Sequence, residues 1–265
     1  MVNAASLVPS HDVFFVTLDT LRYDVAAELF ASNRTPHFAR VHPAGWEKRH
    51  TPATFTFAAH AAFFAGFLPT PAAPGQHPRL FALQFPGSET TTPETCAFDA
   101  PDIVTGFRER GYRTVCIGGV GFFNKLSPLG SVLPALFEES YWSPALGVTE
   151  PRSTEYQIDL ALGFLEQHER PLFLFVNVSA LHQPNAFYLP GATEDSLASH
   201  AAALEYVDGE LARLWRAVRR PTLVVICSDH GTAYGEDGYH GHRLAHPVVW
   251  DVPYAEFVLM PGSVR

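Results

Sequence analysis

The chain has 265 residues, 47% of them hydrophobic and 17% charged, with a formal net charge of −9. That mixture buries a sizeable core and argues for one large domain over residues 1–265. The acidic balance and scattered basic residues exclude the basic footprint of a nucleic-acid binder, leaving room only for a small local anion pocket.

The first ten residues contain no basic segment followed by an apolar stretch, and no apolar run reaches the length of a membrane span. The expectation is therefore a cytoplasmic protein without a membrane segment. Residues 12–18 (DVFFVTL) are short, apolar and β-branched, as in a buried strand, and place Asp19 at its C-terminal end. A helix is expected over 21–30, irregular chain over 32–54, and an Ala- and Phe-rich helix over 56–67 closed by Gly66 and Pro69. Residues 70–100, rich in Pro and Thr, read as a long loop. Beyond it come a helix over 101–110 stopped by Gly111, a strand over 112–117, a helix over 153–168 and a strand over 171–178 (PLFLFVNV). A long helix over 197–219, a strand over 221–227 (PTLVVIC) and a last strand over 254–260 complete the order. Strands alternating with helices imply a largely parallel sheet covered on both faces. The three cysteines, Cys96, Cys116 and Cys227, are far apart and match no zinc or redox spacing. Cys116 and Cys227 lie in strand-like runs and read as buried thiols.

In open α/β sheets, ligands bind beyond the carboxyl ends of the strands. Asp19, His182 and the run Ser228-Asp229-His230 all follow expected strands, so distant segments bring acids and imidazoles to one edge. A carboxylate and an imidazole leaving one strand together can ligate a cation, and that donor pair suits zinc, manganese or iron. Gly231 permits a sharp turn beside them, and the glycines at 235, 238 and 241 let the loop bring back His240 or His242. The plainer reading of this loop, ordinary surface Asp and His, sits badly with the buried strand before it. Thr20 is placed to cap the next helix and Arg22 to face an anion, although an Asp19 cap with a solvated Arg22 explains that segment equally well. Thr56 stands at a helix N-terminus, where the dipole favours anions; a simple capping threonine is the commoner use.

Three segments together resemble the sulfatase-like branch of the alkaline phosphatase superfamily. They are Asp19-Thr20-Leu21-Arg22-Tyr23-Asp24, Thr56 ten residues before Gly66 with Pro69 following, and Ser228-Asp229-His230-Gly231 running on to Gly235-Glu236 and Gly241-His242. Gly111-Tyr112-Arg113-Thr114, His182-Gln183-Pro184 and Tyr206-Val207-Asp208 are weaker echoes in the right order. The resemblance implies a three-layer αβα sandwich with a mostly parallel central sheet. It implies a divalent metal, zinc or manganese, one or two ions, held by Asp19, Asp229 and His230 with the Thr56 hydroxyl. Thr56 is then the nucleophile that forms a covalent ester, with Thr54 the alternative if the helix begins earlier. His182 and His242 are expected to hold a second metal or to contact the transferred group and protonate the leaving group, with His240 a substitute. Arg22, His60, His240 and Lys125 are expected on the substrate side.

The sequence also departs from that branch. Sulfatases that generate formylglycine carry Cys or Ser followed by Pro and Arg, whereas here Thr56-Phe57-Ala58-Ala59-His60 stands in that place. Formylglycine cannot form from Thr56. The lysine segment is replaced by Gly118 to Lys125, and the Asp that two-metal relatives place four residues before His182 is Val178. The expected function is therefore hydrolysis of a small-molecule phosphate mono- or diester or phosphonate ester. A phospho-group transferase at the same site and a metal-binding member without catalysis are the alternatives. Substrate choice is assigned to residues 32–54, 70–100 and 120–150, and no oligomeric state is implied.

Overall fold

The computed structural model describes residues 3–8, 10–66, 101–166 and 169–264. The expected loop over 70–100, together with Pro69 and Cys96, lies outside the described residues. The strands in chain order are β1 (Asp12–Leu18), β2 (Glu47–His50), β3 (Arg113–Ile117), β4 (Glu139–Tyr141), β5 (Leu172–Val178), β6 (Thr222–Cys227), β7 (Ala233–Tyr234), β8 (His240–Gly241) and β9 (Asp251–Leu259). Seven form one sheet in the order β2-β9-β6-β1-β5-β3-β4, and β7 and β8 pair as a separate ribbon. The pairs β1–β5, β1–β6, β3–β5 and β3–β4 are parallel, while β6–β9 and β2–β9 are antiparallel. The sheet is thus mostly parallel, as expected, with its antiparallel part confined to one edge.

The helices are α1 (Ala4–Leu7), α2 (Tyr23–Ala31), α3 (Pro36–Val41), α4 (Thr56–Ala65), α5 (Ile103–Glu109), α6 (Pro128–Val132), α7 (Ser153–Glu166), α8 (Leu197–Arg216) and α9 (Pro247–Trp250). Side chains alternate across each strand, and the two faces of the sheet build two cores. Phe14, Val16 and Leu18 of β1 and Leu174 and Val176 of β5 join α2, α7 and α8 in one. Val13, Phe173 and Phe175 face the other way, onto Phe57 and Phe64 of α4 and Val104 of α5. There the rings of Phe64 and Phe175 meet edge to face, 5.2 Å apart. The long helix α8 opens with a capping box between Ser196 and Ser199. Among the described residues no helix is long and apolar enough to cross a membrane.

Residues 32–54 are not irregular as expected, because they contain α3 and β2. The carboxylate of Asp208, far away on α8, accepts hydrogen bonds from the backbone N–H groups of His37 (3.1 Å) and Phe38 (2.7 Å) and so caps α3. β2 reads Glu-Lys-Arg-His with every residue exposed, an edge strand held by β9 rather than by any apolar pattern. β4, three residues long, extends the opposite edge beside β3 and was likewise without a sequence signal. Thr20 does not cap α2. That helix begins at Tyr23, while Thr20 sits at φ 64° and donates its hydroxyl hydrogen to the carbonyl of Leu181.

Candidate metal and nucleophile site

The face of the sheet toward α4 turns from apolar to polar at its C-terminal edge. On β1 the positions Val13 and Phe15 give way to Thr17 and then Asp19. On β5, Phe173 and Phe175 give way to Asn177. Thr17 is paired with Asn177 on one side and Cys227 on the other, so the three strands place Asn177, Thr17 and Cys227 in one row. Asp19 and Asp229 stand two residues beyond that row, just past the ends of β1 and β6. Both are fully buried, as is His230. One ligand atom from each of Asp19, Asp229 and His230 lies within 4.8 Å of the other two.

The Thr56 hydroxyl, on the first turn of α4, lies 3.4 Å from Asp19 Oδ2 and 3.3 Å from His230 Nε2. Phe55, extended, is the N-cap, so Thr56 is the first helical residue rather than a cap. Thr54 lies outside the helix, and its carbonyl accepts the N–H of Arg243. His230 donates from Nδ1 to the carbonyl of Gly231 (2.9 Å), because a carbonyl can only accept; its Nε2 then presents a lone pair to the cage. Asp229 Oδ1 accepts the N–H groups of Thr20 (3.2 Å) and His230 (3.0 Å). Asn177 Nδ2 donates to Asp19 Oδ2 (3.2 Å). The opposite oxygens, Asp19 Oδ1 and Asp229 Oδ2, are buried without a hydrogen-bond partner.

Burial raises Asp19 from 3.8 to about 6, the neighbouring Asp229 adds to the rise, and His182 and His230 oppose it. Burial likewise raises Asp229 to about 6 against the N–H groups of Thr20 and His230. Two buried carboxylates with orphaned oxygens, beside an imidazole lone pair, are either neutralised by protons or held by a cation between them. The residues therefore fit a divalent metal, with Asp19, Asp229, His230 and the Thr56 hydroxyl as its donors.

His242 lies against this cage, its ring 4.6 Å from that of His230 and 5.9 Å from that of His182. Burial, with His230, His182 and Arg243 adding to it, lowers His242 to about 3. The shift is toward the neutral imidazole. His182 donates from Nδ1 to the carbonyl of Gln183 (2.5 Å). Among the described residues, Asp19, Asp229 and His230 alone form a group of three metal-type ligands, so His182 and His242 bring no carboxylate for a second ion.

The four side chains expected on the substrate side are dispersed. Arg22 is buried and bonded to both oxygens of Asp24 and to Glu236, tying the loop after β6 to the loop after β1. Its Nε, Nη1 and Nη2 each meet a carboxylate oxygen, which makes it a clamp between the two loops. His60 is fully buried beneath Thr56; Nδ1 lies 2.7 Å from the Thr56 carbonyl and Nε2 3.0 Å from the Thr17 hydroxyl. Burial lowers it to about 3. His240 is exposed on the β7–β8 ribbon, paired with Tyr234. Lys125 is turned away, its ammonium donating to the carbonyl (2.8 Å) and hydroxyl (3.2 Å) of Ser140 on β4.

Gly231 is needed for a different reason from the expected turn. A Cβ there would lie 2.0 Å from the carbonyl oxygen of Val248, so the SDHG loop can pass only without a side chain. Three nearby residues escaped the sequence reading. Thr17 and Asn177 are polar positions at the ends of apolar runs, a visible signal. Arg243, next to His242, is exposed and near enough to His230 and His242 to push both toward the neutral form.

Several solved structures share this fold. The C-terminal periplasmic domain of EptC from Escherichia coli, in complex with Zn, matches at TM-score 0.66 and 12% identity over 96% of this chain and 74% of that one. Lipoteichoic acid synthase LtaP from Listeria monocytogenes matches at TM-score 0.60 and 14% identity, over 96% and 66%. The putative sulfatase yidJ from Bacteroides fragilis matches at TM-score 0.61 and 16% identity, over 94% and 68%. The expectation of a cytoplasmic protein is corrected by these likenesses, since the EptC structures are periplasmic domains. It had rested on the lack of a leader-like segment and of an apolar run of membrane-span length, neither of which decides the compartment. No sequence among the curated proteins compared matches the chain. The sulfatase family model matches residues 11–256. Nearly the whole chain, including the cage, Thr56 and all of the sheet but the end of β9, falls within that match, and the protein belongs to the sulfatase family.

Proposed function

We propose that the protein transfers a phospho-group from a phosphate ester to an alcohol acceptor through a covalent ester on Thr56. The observation that carries this reading is the position of the Thr56 hydroxyl, 3.4 Å from Asp19 Oδ2 and 3.3 Å from His230 Nε2, at the edge of a cage with two orphaned carboxylate oxygens. Transfer is preferred to the hydrolysis expected from sequence because similar structures include phosphoethanolamine transferases and a lipoteichoic acid synthase. Hydrolysis, with water as the acceptor, is the second reading of the same site. Their periplasmic setting also favours work outside the cytoplasm.

A bound zinc or manganese ion would supply Lewis acidity, lowering the pKa of the threonine hydroxyl and neutralising charge on the transferred group. Asp19, Asp229 and His230 would hold it. Thr56 Oγ attacks phosphorus, forming the Oγ–P bond; the bond from phosphorus to the leaving oxygen breaks, and that oxygen takes a proton. The acceptor hydroxyl then attacks the same phosphorus, the Oγ–P bond breaks and Thr56 regains its proton. The N-terminus of α4 favours the negative charge gathered near Thr56. Thr56 cannot become formylglycine, so the family name is not read as sulfate ester cleavage.

The test is a chromogenic panel of phosphate monoester, phosphate diester, phosphonate monoester and sulfate ester, with zinc or manganese supplied. Each is run with and without glycerol as acceptor, on wild type and Thr56→Ala. The proposal predicts metal- and Thr56-dependent turnover of a phosphorus ester that glycerol accelerates, with glycerol phosphate esters as products. Turnover unaffected by glycerol, with water as the sole acceptor, would favour the hydrolase. Turnover that survives Thr56→Ala would overturn both.

A further inference from the structure

We propose that His60, Thr17 and Asn177 form a buried hydrogen-bonded tie that locks the nucleophile helix to the metal-ligand strand and orients the carboxylate of Asp19. The inference rests on the metal and nucleophile roles given above and adds three positioning residues to them. All three are fully buried.

The direction of every bond in the tie is set by its ends. The N–H of Val120 can only donate, so the atom of Asn177 facing it at 3.0 Å is Oδ1. Asn177 Nδ2 then points the other way and donates to Thr17 Oγ1 (3.3 Å) and Asp19 Oδ2 (3.2 Å). At the far end the Thr56 carbonyl can only accept, so His60 Nδ1 carries a hydrogen toward it (2.7 Å). With its oxygen already accepting from Asn177, Thr17 turns its own hydrogen to His60 Nε2 (3.0 Å). The path runs without a break from the backbone of Thr56, through His60, Thr17 and Asn177, to the carboxylate of Asp19. Neutral His60, in one tautomer, satisfies it.

The register supports the same reading. Thr17 and Asn177 are directly paired across β1 and β5. The backbone of Asn177 is itself held, its carbonyl accepting from Gln157 Nε2 at 2.6 Å. Gly119 leaves space for this arrangement, because a Cβ there would lie 2.4 Å from the Asn177 carbonyl oxygen. The tie holds Asp19 by Oδ2, the oxygen that also meets the Thr56 hydroxyl at 3.4 Å, and leaves Oδ1 without a hydrogen-bond partner. His60 stands where formylglycine sulfatases carry Arg; here that position looks inward and serves placement rather than substrate contact.

The experiment compares wild type, Thr17→Val and Thr17→Ser. Valine keeps the volume and suits a strand but removes the hydroxyl; serine restores it. Zinc affinity is read by competition with a chromogenic chelator, thermal melting checks the fold, and kcat and KM are measured on the best ester of the panel. The tie predicts that Thr17→Val folds, binds zinc about 10–100-fold more weakly and loses kcat with KM little changed, while Thr17→Ser recovers most of both. Wild-type zinc affinity and kcat in a folded Thr17→Val overturns the tie and leaves the site reading standing. A wild type that holds no zinc overturns both. If Thr17→Val fails to fold, Asn177→Ser, which withdraws the amide from Asp19 Oδ2, puts the tie to the same zinc measurement.

Discussion

Replacing Asp19 by Asn is expected to stabilise the metal-free protein at neutral pH while destroying its capacity to hold a cation. In the folded chain without metal, burial and then Asp229 raise Asp19 from 3.8 to about 6. The folded state therefore holds a proton that the unfolded state releases. Below pH 3.8 both states are protonated and the group contributes nothing; as pH rises from 3.8 through about 6, stability is lost, and above that the full penalty is present. At about 1.4 kcal/mol per pH unit, the penalty is about 3 kcal/mol. Asn carries no charge and can accept from Asn177 Nδ2 through its own oxygen, but its amide meets no partner where Asp19 Oδ1 now lies. That unpaired amide costs about 1 kcal/mol, leaving a net gain of about 2 kcal/mol. For a chain of this size the gain corresponds to a Tm higher by about 4–8 °C. The assay is thermal melting of wild type and Asp19→Asn in chelator at pH 7.5, 6, 5 and 4. The gap is expected to be widest at pH 7.5 and to close or reverse by pH 4. Added zinc is expected to raise the Tm of wild type alone. A variant less stable than wild type at pH 7.5 in chelator, or a gap that does not narrow with acid, would refute the reasoning.

Thr56→Ala is expected to cut turnover by about a thousandfold or more without loss of fold, while Thr54→Ala stays near wild type, as steady-state kinetics will show. Gly231→Ala places a Cβ 2.0 Å from the Val248 carbonyl oxygen, so a loss of about 1–3 kcal/mol or more is expected in denaturant melts, along with weaker zinc binding. Arg22→Ala removes a buried guanidinium from Asp24 and Glu236 and is expected to lower Tm strongly, with the residual activity keeping its KM; a large KM change at unchanged Tm would restore Arg22 to the substrate side. Arg243 stands beside the site with no carboxylate on it among the described residues, so Arg243→Ala is expected to raise KM for an anionic ester about tenfold, with a smaller effect on kcat.

The frame of the molecule was legible because its strands carry strong local signals. DVFFVTL, LFLFVNV and TLVVIC are buried on both faces and need no context to be read as strands, and the residues just beyond them became the cage. What escaped was context-dependent. β2 is a run of four charged or polar residues that pairs only because β9 lies beside it. α3 is secured by a carboxylate from α8, a partner about 170 residues away that no local pattern reveals. Among site residues, type and position at a strand end located Asp19, Asp229 and His230. For Arg22, His60 and Lys125 they left the partners unread, because a polar residue near a site can serve structure as readily as substrate. Arg22 meets carboxylates, His60 meets a carbonyl and a hydroxyl beneath Thr56, and Lys125 meets Ser140. Asn177 was visible as a polar residue inside an apolar run, but its function appears only when Thr17 is placed across the strand from it.

The most direct test of the central claim is peptide mapping by mass spectrometry of the zinc-loaded protein, quenched in acid after incubation with a reactive phosphate ester. The account predicts a phospho-group on Thr56, absent from Thr56→Ala and from protein stripped of metal. An unmodified Thr56 peptide in protein that is visibly turning over the ester, or the adduct on another residue, would contradict it.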